Sequence, residues 1–322
     1  MNTQSILRAL ADSGIISSPQ SSVIEKFETE KPFSIHWELR SILYLGIILF
    51  GGGIGVIIYE NIDTIGHQAI IATIACVTIY CFYHTYKNRL PYTNSEVKNP
   101  NKFSEYTLLL GCTTFLALEG YMQFQYQTFG ARYGLAVLIP TIIFFFCAYR
   151  FDHRGVLSLA ITGLASWLGL TIAPMSILAD NDFTDIRIIV LSIMLGILLV
   201  ALGWVSGKYR IKRHFSFTFL FMGGNLACLA ALTGQFTHDY KVIYFIIAAG
   251  LCYFFILRSR EEHSLIFLLM GVIYGYVIIT YALFTTFGDT AAALLATYYF
   301  LFSSVGVIIF LLNVKKFLGI KK

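Results

Sequence analysis

Apolar residues along this chain come in long runs separated by short polar clusters, not in strict alternation. The runs fall near 42–59, 67–86, 106–122, 132–149, 156–177, 187–206, 215–233, 240–257, 264–284 and 291–313. A helix of about 20 apolar residues spans a bilayer, because it satisfies its own backbone groups in a medium without water. The pattern therefore predicts an all-α, polytopic integral membrane protein with ten transmembrane helices.

Charge placement gives the runs a direction. With the amino terminus inside, 20 of the 23 Lys and Arg fall on cytoplasmic segments, and only Arg132, Arg187 and Lys241 fall outside. Basic residues prefer the cytoplasmic side of short loops. The alternation predicts both termini inside. It also accounts for the net charge of +5 without nucleic acid as a partner. The outer segments are acidic, with Glu60, Asp63, Asp180, Asp182, Asp185, Asp239 and Asp289.

Composition agrees with a lipid environment. Hydrophobic residues make up 57% of the 322 positions and charged ones 13%, against about 25% charged in an ordinary soluble domain. No signal-peptide pattern opens the chain. All six cysteines fall within the predicted spans, with no C-x-x-C spacing. They read as small buried residues, not as disulfides or zinc ligands.

Residues 1–40 form a separate polar unit, before a membrane domain over 41–314 and a basic tail over 315–322. "SILRALADSG" places Ile6, Leu7 and Leu10 on one helical face. In "SSPQSSVIEKFETEK", Ser18 caps and Pro19 opens a second helix with Val23, Ile24 and Phe27 on its apolar side. The expectation is a small cytoplasmic helical hairpin, docked on the membrane domain or on another copy of the chain, with a partner-binding or regulatory module as the sharper alternative. The loop "HTYKNRLPYTNSEVKNPNKFSE" (84–105) reads as a flexible basic linker.

Two stretches carry a resemblance. "LADSGIISSPQSSVI" is similar to the short cytoplasmic segment that opens the bacterial membrane proteins grouped as domain of unknown function 2157. "YLGIILFGGGIGVIIYENID" resembles the first span of that family, with Asn61 where the family has an Asn, and Ile62 where it usually has Trp. The resemblance covers about residues 7–85. It implies a membrane architecture and a bacterial source, and brings no activity with it; the location expected is the inner membrane.

The glycine stretch "GGGIGVIIYENIDTIG" (51–66) is not a phosphate loop, since neither Lys-Ser nor Lys-Thr follows it. Gly51 and Gly55 have the small-xxx-small spacing that lets helices approach closely, and Gly271 and Gly275 repeat it.

Polar residues within spans are the candidates for chemistry. Glu119 lies toward the outer end of the third span, where a carboxylate is costly and tends to be paired, protonated or functional. Arg132, across the short outer turn, is its obvious partner. Asn225, beside Gly223 and Gly224, sits near the centre of the seventh span, where it either bonds a neighbouring helix or marks a broken, ligand-binding one. Glu60, Asp63 and His67 could collect a cation outside, and His153 lies in a solvated loop cluster with Asp152 and Arg154. No catalytic elbow, Walker lysine, metal motif or cofactor motif is present.

The resulting expectation is a membrane protein that binds or transports a small solute, ion or lipid through Glu119, Arg132 and Asn225. The alternative is a scaffold or sensor that recruits a partner through its amino-terminal hairpin. A third reading, an enzyme acting on a lipid or lipid-linked substrate, rests on the basic cluster from Lys208 to Arg213, which the topology already explains.

Overall fold

A computed structural model describes residues 36–97, 102–286 and 289–318, together with Ser13, Ser17, Gln20, Val23 and Ile24. Apart from those five positions and residues 36–40, which open the first long helix, the expected hairpin lies outside the described residues, as does the end of the basic tail. The chain divides into two compact units, 1–60 and 61–322. Every regular element among the described residues is a helix.

In chain order the helices are α1 (His36–Ile65), α2 (His67–Lys87), α3 (Lys102–Tyr126), α4 (Tyr133–Phe151), α5 (Arg154–Ile172), α6 (Pro174–Asp180), α7 (Ile186–Tyr209), α8 (Arg213–Thr237), α9 (Lys241–Glu261), α10 (Leu265–Thr286), α11 (Asp289–Leu312) and α12 (Val314–Phe317). To within a residue, nine of the ten apolar intervals each fall on one long helix, and the fifth, 156–177, runs from α5 into α6. Seven of these, α2, α4, α5 and α7–α10, are long and apolar enough to cross a membrane. The apolar parts described in α1 and α11 are shorter, Ser41–Ile57 and Tyr298–Phe310.

Local chemistry sets the breaks. Gly66 has φ 81°, a left-handed conformation that separates α1 from α2. The fifth interval is shorter than the sequence suggests: α5 stops at Ile172, not at 177. Ala173 leaves the helical region (φ −140°, ψ 68°) because Pro174 follows it, and α6 then starts anew. Pro140, in contrast, lies within a continuous α4.

Within the second unit α8 is the central helix. It packs on α7, α9, α5 and α10, and 61% of its apolar window is buried, against 28–44% for the other six. One cluster joins Ile189 and Ile193 of α7, Ala231 of α8, Ala248 and Cys252 of α9 and Ile278 of α10. A second joins Val200, Leu220, Phe255, Phe267 and Met270.

Glycines set the spacing at these seams. A Cβ on Gly196 of α7 would lie 2.6 Å from Gly223 O and 2.7 Å from Ala227 Cβ of α8. One on Gly271 of α10 would lie 2.6 Å from Ile256 Cγ1 of α9. Such small-residue contacts let backbones meet where apolar burial drives nothing, since lipid is as apolar as the helix.

The outward faces remain apolar. Phe146 is 68% exposed, Ile246 62% and Met194 60%. Apolar surface on this scale needs a cover that water does not provide.

Loops meet their own side of the bundle. At one end Arg150 Nη1 donates to Leu90 O, Arg260 Nε to Phe317 O, and Lys212 N–H to Asn94 O. At the other, His67 bonds Tyr121, His238 bonds Thr184 O, and Tyr281 OH donates to Phe236 O. These groupings match the two sets of loops that the charge pattern separates.

Candidate functional site

Three loops converge on Asp152, the turn residue between α4 and α5. Its left-handed conformation (φ 59°) turns the side chain inward. Oδ2 accepts from Val97 N–H at 2.6 Å, and Oδ1 from Lys212 Nζ at 3.0 Å. His214 Nε2 approaches the same Oδ1. A carboxylate only accepts, so that nitrogen carries the hydrogen. All three side chains are buried, with 4%, 2% and 6% exposure for Asp152, Lys212 and His214.

This arrangement corrects two expectations. Asp152 is not solvated; it is the buried centre of a polar network. Residues 88–97 are not a loose linker in their described part. Val97 is held by Asp152, Asn94 O by Lys212 N–H, and Glu96 by Arg154 Nη2 at 2.8 Å. Lys212 Nζ also lies 4.7 Å from the centre of the Tyr92 ring. The space beside this hub is only about 30 Å³, too little for a ligand.

A much larger cavity of about 890 Å³ opens next to it, between the start of α5, the end of α7, the start of α8 and the end of α9. Arg154, Lys208, Arg210, Arg213 and Arg258 line it, with Glu96 and Glu262 as its carboxylates, so cations exceed anions by three. Glu96 pairs with Arg154, and Glu261 and Glu262 pair with Arg258. Lys208, Arg210 and Arg213 have no carboxylate partner among the described residues. Lys208 Nζ sits 4.9 Å from the centre of the Trp204 ring. A concave, single-signed lining focuses its field and concentrates counter-ions.

The residues singled out by sequence do not share this cavity. Glu119 is half-buried on α3, with Oε2 lacking a hydrogen-bond partner among the described residues. Arg132 is exposed at the start of α4, and no ion pair joins it to Glu119. The nearby outer turn is organised instead by Gln123, which donates to Gly130 O and accepts from Phe129 N–H.

Asn225 bonds a neighbouring helix. It donates to Phe221 O at 2.8 Å and accepts from Tyr274 OH at 2.7 Å, tying α8 to α10. Its neighbouring glycines face different helices: a Cβ on Gly223 would lie 2.6 Å from Leu199 Cβ of α7, and one on Gly224 would overlap the Phe255 ring of α9. The helix is continuous through them.

The other marked glycines divide. Gly271 fits against α9, and Gly275 lies in ordinary contact with Cys252. A Cβ on Gly51 or Gly55 would meet nothing within 4 Å among the described residues. The side chains of Glu60 and Asp63 lie outside those described. His67 bonds Tyr121 OH through Nδ1 at 2.7 Å and Gln125 through Nε2 at 3.3 Å.

The comparison with protein families extends the resemblance seen at the amino terminus. Residues 8–157 match the family model described as predicted membrane protein (DUF2157). The DUF2157 match thus runs from the amino-terminal segment through α4 to the first residues of α5. It contains Asp152, Arg154 and the 88–97 loop, whereas Lys208, Arg210, Arg213 and Arg258 lie beyond it. Neither the curated proteins nor the solved structures give a match to this chain.

Proposed function

We propose that this protein is a ten-span membrane protein of a bacterial inner membrane, with both termini in the cytoplasm, and that it binds a small anionic ligand in the vestibule between α5, α7, α8 and α9. One observation carries the reading: Lys208, Arg210 and Arg213 line a single cavity of about 890 Å³ without acidic partners among the described residues. The positive-inside rule accounts for their side of the membrane. It does not account for their convergence on one concavity.

This reading keeps the expectation of a small ligand and moves its seat from Glu119, Arg132 and Asn225 to the basic end of the spans. The experiment is binding of a panel of mono- and polyanions to the purified full-length protein, followed by isothermal calorimetry. Binding that disappears in the triple variant Lys208→Gln, Arg210→Gln, Arg213→Gln supports the assignment. Equal binding in both proteins removes the vestibule from it.

Glu119 Oε2, without a hydrogen-bond partner among the described residues, favours a second reading, a proton or cation site on α3. Glu119 lies about 25 Å along the helix from Lys102, at about 1.5 Å per residue. Proton or cation flux in reconstituted vesicles tests it. Flux in the wild type that persists unchanged in Glu119→Gln would eliminate the site.

A further inference from the structure

We infer that the ligand of the basic vestibule carries a phosphate ester, recognised by Lys208, Arg210 and Arg213 beside the ring of Trp204. The inference rests on the anion-binding reading above and names the chemistry of its ligand.

The donors fit that group. Two guanidinium forks and one ammonium offer planar bidentate donors with a mobile point charge, a combination suited to a tetrahedral anion of one to two charges. The surplus of three lining cations exceeds what one carboxylate would neutralise. The two cations already compensated, Arg154 and Arg258, form walls rather than free donors.

The position of the cavity points the same way. Trp204 and Lys208 stand on the last turns of α7, and Ser216 and Phe217 on the first turn of α8; both helices are long and apolar enough to span. A cavity at the ends of such helices lies at headgroup depth. Basic pockets between spanning helices hold phosphate-bearing headgroups there. Trp204, which lines the cavity, is 45% exposed, and Tyr209 and Ile211, the chain neighbours of Arg210, are 66% and 55% exposed. Aromatic residues settle at this interface. The phosphate therefore comes either on a lipid or on a soluble ester entering from the basic side, and the two sources are separable by experiment.

The test uses the full chain in an uncharged detergent, with binding followed by native mass spectrometry and calorimetry. The probes are dioctanoyl phosphatidic acid, dioctanoylglycerol as its neutral counterpart, glycerol 3-phosphate and citrate. The variants are the Lys208→Gln, Arg210→Gln, Arg213→Gln triple and, as a control of overall charge, Lys241→Gln at the opposite end of the bundle.

At least tenfold tighter binding of phosphatidic acid than of dioctanoylglycerol, lost tenfold in the triple variant and kept in Lys241→Gln, supports a lipid phosphate. Tight glycerol 3-phosphate binding with the same variant pattern supports a soluble ester. Citrate binding that the triple variant abolishes, without binding of either phosphate, overturns the phosphate assignment and leaves the anion reading intact. Absence of any anion binding overturns both, and so does binding that the triple variant retains. If the triple variant fails to fold, the single variants Lys208→Gln and Arg213→Gln, both at exposed side chains, carry the same comparison.

Discussion

Lys212 Nζ lies 3.0 Å from Asp152 Oδ1, with 2% and 4% of the two side chains exposed. The pair joins residues 60 positions apart, and its energetics depend on both partners being present. A buried carboxylate left without its cation costs about 3–5 kcal/mol, whereas loss of both charges costs much less. Lys212→Met is therefore expected to destabilise the detergent-purified protein by about that amount. The double variant Lys212→Met, Asp152→Leu should recover part of the loss. Thermal unfolding monitored by circular dichroism measures both, and limited trypsin cleavage at Arg89 should accelerate in the single variant because Tyr92, three residues on, loses its contact with the Lys212 ammonium.

Asp185 caps α7, accepting from Arg187 N–H at 2.8 Å and pairing with Arg187 Nη2 at 2.7 Å. The Arg187 side chain and backbone hold its carboxyl down to about 2, below an ordinary value of about 3.9. A depressed carboxyl contributes its full stabilisation above about pH 4 and loses it as the pH falls toward 2. Asp185→Ala should thus cost about 1 kcal/mol at pH 7. The difference in melting temperature between wild type and variant should shrink between pH 4 and pH 2. A difference that stays constant across that range would show that ionised Asp185 contributes nothing.

Gly223 and Gly250 provide a matched contrast. A Cβ at Gly223 would lie 2.6 Å from Leu199 Cβ and 2.8 Å from Gly196 O, whereas one at Gly250 meets nothing within 4 Å. Gly223→Val should cost at least about 1–3 kcal/mol, the usual penalty of overpacking. Gly250→Val should be close to neutral. Size-exclusion profiles after heating distinguish the two, and equal losses would contradict the close α7–α8 approach.

Tyr274 OH donates to Asn225 Oδ1 at 2.7 Å. Bonds of this kind between membrane helices average about 0.6 kcal/mol and reach about 1.7. A double-mutant cycle of Asn225→Leu and Tyr274→Phe should return a coupling in that range. Zero coupling would mean that the bond is not formed in the membrane-like state.

The positions of the helices were legible because a membrane span is a local property. Twenty apolar residues announce themselves without reference to any partner. The break at Ala173 was legible in principle from Pro174, but the apolar residues beyond it masked the end of the helix. Asn225 fitted either a bond to a neighbouring helix or a broken helix, and the Tyr274 partner and the unbroken α8 are features that only the three-dimensional arrangement shows.

The vestibule was hidden for a different reason. Arg154, Lys208, Arg213 and Arg258 lie in three separate segments, each explained by membrane orientation alone. The charge pattern says on which side they stand, and nothing about which of them share a wall. Asp152 is hidden in the same way, since a single carboxylate next to His153 and Arg154 looks like solvated loop chemistry until Val97, Lys212 and His214 arrive from the 88–97 segment and the start of α8.

The sequence by itself determined the helical class, the intervals that become helices and the sorting of loops into two sets, because hydrophobic length and charge sign act residue by residue. The tertiary structure alone decided which glycines touch a neighbour, that Asp152 is buried, and that Lys208, Arg210 and Arg213 surround one cavity. Those properties depend on distances between segments far apart in the chain, and packing sets such distances, which no local pattern encodes.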